Sequence, residues 1–192
     1  MKIRSIIAGV LIGIGAYAYA SIANKVLGAF IFSIGLISVF ALQAHLFTGK
    51  IGGLNKKNWK DLIWMLVGNV IGISLVVLIA APKETIREAC LVITTAKFEK
   101  DLHIAFLDAL MCGVIIQLAV ELKSKDPVST ILCIMCFILC GFEHCIANTF
   151  YFICDGVVYW QEIIYLVIYV LGNSLGAIAL KHLIERGKYE NS

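Results

Sequence analysis

Apolar residues in this chain run in long blocks separated by short polar joints; they do not alternate every second residue. Six blocks stand out, at about 6–23, 27–47, 61–81, 104–122, 128–152 and 162–182. A helix rises 1.5 Å per residue, so ~20 residues cross the ~30 Å of bilayer hydrocarbon. Each block has about that length, and together they predict six membrane-spanning helices. Strands of a membrane barrel are half as long and alternate in polarity. The joints carry turn chemistry at Gly52-Gly53-Leu54-Asn55, at Pro82 and at Asp126-Pro127. The longest joint, 83–103, mixes charge with apolar residues and predicts a helix lying in the interface.

Composition strengthens this picture. Of 192 residues, 60% are hydrophobic and 15% charged, with a mean hydropathy of +0.92. Soluble domains run nearer half apolar and a quarter charged, so the bilayer is the expected solvent. The expected class is an all-α integral membrane protein of one domain, 1–192. The net charge of +3 does not mark a nucleic-acid binder, because the cations gather at the ends of the blocks. With the N-terminus inside, eleven of the 16 Lys and Arg fall in inner segments and five in outer ones. That bias predicts a multi-pass protein of the cell membrane with both termini cytoplasmic. Met1 to Ala20 also has the outline of a secretory signal, but cleaving it would leave five spans and destroy the symmetry described next.

The third block contains Gly68-Asn69-Val70-Ile71-Gly72 and the sixth Gly172-Asn173-Ser174-Leu175-Gly176. Glycines four apart let helices approach closely, and each pair here brackets an amide deep in an apolar run. The second block is interrupted by Gln43-Ala44-His45-Leu46-Phe47-Thr48-Gly49 and the fifth by Gly141-Phe142-Glu143-His144-Cys145-Ile146-Ala147-Asn148-Thr149. Three spans per half is an odd number, so the halves, about 1–82 and 100–188, enter the membrane from opposite sides as inverted repeats. Broken helices survive in a bilayer where they line a cavity or are buried in protein. A pore is implied.

Glu143 and His144 lie deep in the fifth block, where a charge is costly unless paired or hydrated. The carboxylate can serve the orphan amides of a helix break. The imidazole titrates near neutral pH and can hand protons to a permeating anion. Cys133, Cys136 and Cys140 share a helix face, but no His or carboxylate completes a tetrahedral set nearby, so neither metal nor cofactor is expected. No second convergent set of acid, base or ligands accompanies Glu143 and His144, which speaks against an enzyme. A neutral-solute channel of aquaporin type is the alternative transport reading, though the Asn-Pro-Ala-like breaks it calls for are missing.

Leu46-Phe47-Thr48-Gly49, Gly141-Phe142-Glu143-His144 with Ile146-Ala147-Asn148, and the two Gly-Asn patterns resemble the formate/nitrite transporter family. The resemblance runs over essentially the whole chain. It implies an aquaporin-like fold, a homopentamer with one pore per subunit, and passage of small inorganic or organic anions such as formate, nitrite or hydrosulfide, with protons. By position, His144 matches the central histidine and Thr48 the threonine that bonds near it. Asn173 matches a polar residue facing the vestibule, and Glu143 and Asn148 complete the polar centre. Phe32, Leu36, Leu46, Phe47 and Phe137 match two apolar constrictions. The family lysine before the fourth span falls on Asp101, so Lys100, with Lys97 one turn away, is expected to attract the anion. The family's asparagine sixteen residues later falls on Gln117, and its acidic residue in the second break on His45.

Overall fold

A computed structural model describes residues 2–157 and 160–190. Among them there is no strand. The helices are α1 (Ile3–Ser21), α2 (Lys25–Ala41), α3 (Trp59–Ala80), α4 (Glu84–Phe98), α5 (Leu102–Leu122), α6 (Pro127–Leu139), α7 (Cys145–Cys154) and α8 (Trp160–Tyr189), with one 3-10 turn at Ile51–Gly53. By length and composition α1, α3, α5 and α8 can each cross a membrane, while α2, α6 and α7 are shorter apolar helices. The interface joint is helical as expected, as α4. The second and fifth blocks are not continuous helices: α2 stops at Ala41, and α6 stops at Leu139 before α7 begins at Cys145.

Both stops have the same local cause. After α6, Gly141 adopts φ +71°, its N–H donates to Ile138 O (3.2 Å), and Phe142 N–H donates to Phe137 O (2.9 Å). After α2, Gln43 adopts φ +50°, its N–H donates to Phe40 O (3.1 Å), and Ala44 N–H donates to Val39 O (2.9 Å). This is the left-handed cap that satisfies the last carbonyls of a helix. Glycine takes that conformation freely, whereas an L side chain pays about 1 kcal/mol or more. Gln43→Gly is therefore expected to raise stability by about 0.5–1 kcal/mol, read as a higher Tm of the detergent-solubilised protein.

The long helices pack in two groups, α1 with α2 and α3, and α5 with α6 and α8. Two crossings are so close that only glycine fits. A Cβ on Gly9 would stand 2.1 Å from Asn69 O, and one on Gly113 would stand 2.2 Å from Asn173 O. Ser5, Gly9, Asn69 and Gly72 in the first group thus correspond in order and spacing to Ala109, Gly113, Asn173 and Gly176 in the second. α1, the segment with a signal-like outline, is held in this core, with Ala8, Ile12 and Ala16 buried.

Among the described helices α7 alone is buried along nearly its whole length, and it touches α1, α3, α4 and α8. Its position, and the register of its first residue, fix the site described next.

Candidate functional site

Each helix break bares backbone amides and carbonyls, and an asparagine from the facing helix takes them up. Asn69 Oδ1 accepts from Phe47 N–H (2.8 Å), while its Nδ2 donates to Ser5 O (2.8 Å) and His45 O (2.9 Å). Asn173 Oδ1 accepts from Cys145 N–H (2.9 Å), while its Nδ2 donates to Ala109 O (2.7 Å) and Glu143 O (2.8 Å). Both asparagines are fully buried. A dry, unpartnered backbone group costs several kcal/mol in hydrocarbon, so these amides hold the breaks in place. The amide of Asn173 is spent on backbone and lines neither cavity described below.

The two breaks meet at one hydrogen bond. His144 is the N-cap of α7, and its Nδ1 accepts from Ala147 N–H (3.1 Å). A ring nitrogen that accepts carries no proton, so in the neutral imidazole the proton sits on Nε2. Nε2 lies 2.9 Å from Thr48 Oγ1 and donates to it. The Thr48 hydroxyl proton is then left to point elsewhere. Both residues are buried. The imidazole stacks on Phe137, with centroids 5.6 Å apart, and Phe137 meets the edge of Phe32 at 5.8 Å.

Two cavities approach this pair. One of about 240 Å³ is lined by Phe32, Phe137, His144, Asn148, Lys97 and Lys100, among others. The second, of about 470 Å³, is lined by residues including Phe40, Leu46, Gly49, Lys50, Lys123 and Thr130. α2 runs from one cavity to the other, with Phe32 in the first, Phe40 in the second, and buried Leu36 between them. Phe47 is buried and lines neither cavity.

Beside His144 the Glu143 carboxylate, only 1% exposed, is fully engaged. Oε2 accepts from Lys97 Nζ (2.5 Å) and Asn148 Nδ2 (2.7 Å), and Oε1 accepts from Lys100 Nζ (2.8 Å). Lys100 spends its other two protons on Asp108 Oδ2 (2.7 Å) and Gly141 O (2.8 Å). Burial alone would lower the Lys100 ammonium, but the Glu143 and Asp108 carboxylates more than offset it and hold it above the ordinary lysine value. Both candidate lysines therefore reach the same carboxylate, and two cations face two anions. Asp108 escapes a reading of the sequence, because nothing in an isolated acid on an apolar helix says which lysine folds onto it. Gln117 does not join this cluster: its Nε2 donates to Glu121 Oε1 (2.9 Å), and Glu121 in turn pairs with Lys181 (2.9 Å). His45 sits apart as well, its N–H donating to Arg4 O.

Residues 1–185 match the formate/nitrite transporter family. The chain belongs to that family. Among curated proteins none matches the chain in sequence. Among solved structures it is similar to a pentameric formate channel with formate bound, at 23% identity and TM-score 0.73, covering 97% of this chain and 94% of that one. It is similar also to an FNT family ion channel, at 21% identity and TM-score 0.81, covering 98% and 88%. These likenesses carry the fold, an all-helical one. A formate/nitrite transporter family member is a multi-pass membrane protein of the anion-channel class, and the family is one of transporters, not enzymes.

Proposed function

We propose that the chain conducts small monovalent weak-acid anions such as formate, nitrite or hydrosulfide, with proton transfer at His144. The observation that carries this reading is the Thr48–His144 hydrogen bond between two cavities, one walled by Phe32 and Phe137 and the other by Leu46. A bare anion crosses a dry apolar ring only at high cost. A neutral acid crosses it cheaply. Thr48 Oγ1 takes a proton from cavity water as its own hydroxyl proton passes to the anion, while His144 Nε2–H keeps its proton and holds that hydroxyl in place, so the relay leaves the ring neutral and unmoved. The reading includes six spans in two inverted, aquaporin-like repeats with α2 and α6–α7 as the broken ones, supported by the matching caps and asparagine struts. It also includes a homopentamer in the cell membrane with cytoplasmic termini.

Proteoliposomes loaded with a pH dye test the proposal. Formate, nitrite and hydrosulfide are expected to enter with a proton, faster as the outside pH falls, while chloride and glycerol do not. His144→Ala is expected to cut that flux at least about tenfold, near the lower end of what a positioned proton donor contributes. Weak-acid flux independent of pH and unchanged by the substitution would refute the role of His144.

The lysine cluster sets a second expectation. With Lys97 and Lys100 balanced by Glu143 and Asp108, the mouth carries little net field. Asp108→Asn removes one anion and leaves Lys97 and Lys100 facing Glu143 alone, so the flux at low anion concentration is expected to rise roughly three- to tenfold in low salt and the gain to fade at high salt. Initial rates at two ionic strengths measure it.

A further inference from the structure

The larger cavity differs in charge from the one beside Glu143. Lys50 and Lys123 line it, and among its described lining residues there is no Asp or Glu. Lys97 and Lys100 both pair with Glu143, whereas Lys50 and Lys123 have no ion-pair partner among the described residues. The acids that flank Lys123 in the chain are engaged elsewhere. Glu121 Oε1 accepts from Lys181 Nζ (2.9 Å) and Gln117 Nε2 (2.9 Å). Asp126 caps α6, its Oδ1 accepting from Val128 N–H (3.0 Å) and Ser129 N–H (3.2 Å). The Lys123 ammonium stands 5.2 Å from the centre of the Phe40 ring, and Phe40 lines the same cavity. The ring face attracts the cation and keeps it at the chamber. Ser124, next to Lys123 on the lining, adds a hydroxyl donor. α2 and α5 end at this cavity, and their carbonyl ends carry about half a negative charge each. Two whole positive charges outweigh them.

Two ammoniums facing one chamber repel each other, and an anion that meets both relieves them. Lysine meets phosphate as a point charge. A cavity of about 470 Å³ takes a phosphate group together with several waters of ~30 Å³ each. We propose that Lys50 and Lys123 bind a phosphate dianion, either inorganic phosphate or the headgroup of a phosphatidate, and that the bound group closes this mouth to the permeating anion. The closure rests on the conduction proposed above; the binding does not. A monoanion such as formate meets the same cations with half the charge, so it is held more weakly and moves on. The dianion stays, because taking up one proton leaves it charged and a charged group does not cross a dry apolar wall cheaply. Leu46 lines this cavity two residues before Thr48, so a guest here sits on the approach to the Thr48–His144 bond.

Full-length protein in an uncharged detergent is titrated with inorganic phosphate at about pH 8, where phosphate is chiefly a dianion. Chloride keeps the ionic strength fixed, and binding is read from broadening of the phosphorus-31 line. Saturable broadening is expected, and Lys50→Gln with Lys123→Gln together should weaken binding at least about tenfold, since two charge-assisted contacts are lost. Lys125→Gln, outside the lining, should leave it unchanged. All three lysines are exposed, and an unchanged Tm checks that each variant folds. Native mass spectrometry with phosphatidate and phosphatidylcholine tests the lipid source. Phosphatidate retained by the parent and lost by the double variant, with no phosphate broadening, assigns the site to the headgroup. Uptake of labelled formate into proteoliposomes is then measured with and without the bound probe on both faces. The probe is expected to suppress uptake by the parent and not by the double variant. Equal binding by parent and double variant, or no binding of either probe, overturns the site. Binding that leaves a working formate uptake undiminished overturns the closure. If probe-free liposomes take up no formate, the conduction reading and the closure fall together, and the binding titration alone decides the site.

Discussion

Glu143→Gln is expected to lower stability by about 2–4 kcal/mol and to abolish most transport. A buried ion pair broken by removing one partner costs ~3–5 kcal/mol, chiefly because the remaining charge is stranded. Here Lys97 loses its carboxylate partner, while Lys100 keeps Asp108 and Gly141 O. The figure sits below the full range because both lysines border a cavity that admits water. The readout is the Tm and the yield of monodisperse protein in detergent. A second substitution separates charge from shape: Lys97→Met on the Glu143→Gln background removes the stranded cation and is expected to recover part of the lost stability. If the single variant is as stable as the parent, the carboxylate is not the keystone of this cluster.

The second large effect is expected at the struts. Asn173→Ala deprives Cys145 N–H, Ala109 O and Glu143 O of their partner together, and Asn69→Ala does the same to Phe47 N–H, Ser5 O and His45 O. At ~1–3 kcal/mol for each buried group left unmade, either change is expected to cost at least about 3 kcal/mol, read as a fall in Tm. An acidic replacement at the same position sharpens the test. Asn173→Asp keeps the acceptor for Cys145 N–H but sets an oxygen against two carbonyls, so it is expected to fail as badly as alanine. Survival of that acidic variant with native Tm would mean that the amide's donating end does nothing.

Much of this is legible in the chain. Block lengths announce the four long apolar helices α1, α3, α5 and α8, and the polar interruptions in the second and fifth blocks announce where α2 ends and where α6 gives way to α7. The Gly-Asn patterns point to tight crossings, and Thr48 and His144 stand out by their places in the two breaks, which the fold joins at 2.9 Å. What spacing does not encode is the direction of a side chain. An amide such as Asn173 in an apolar helix suggests a pore donor, yet the nearest unsatisfied groups are the backbone of the break it faces. Lys97 and Lys100 suggest lures for an anion because neither Glu143 nor Asp108 shares a helix with them. Their pairing depends on the path of the loop at 99–101 between α4 and α5. Gln43 carries no signal at all, since a glutamine at φ +50° obeys tertiary demand against its own preference.

The double use of the His144 ring has a consequence for selectivity. Its one lone pair is pinned by Ala147 N–H, so the imidazole is a fixed post and cannot swing to follow a passing ion. On the proposed route a traveller comes to the Thr48 hydroxyl at one spot and one angle. Discrimination then rests on whether the traveller can accept a hydrogen there and leave uncharged, a chemical filter set by acid strength and little concerned with girth.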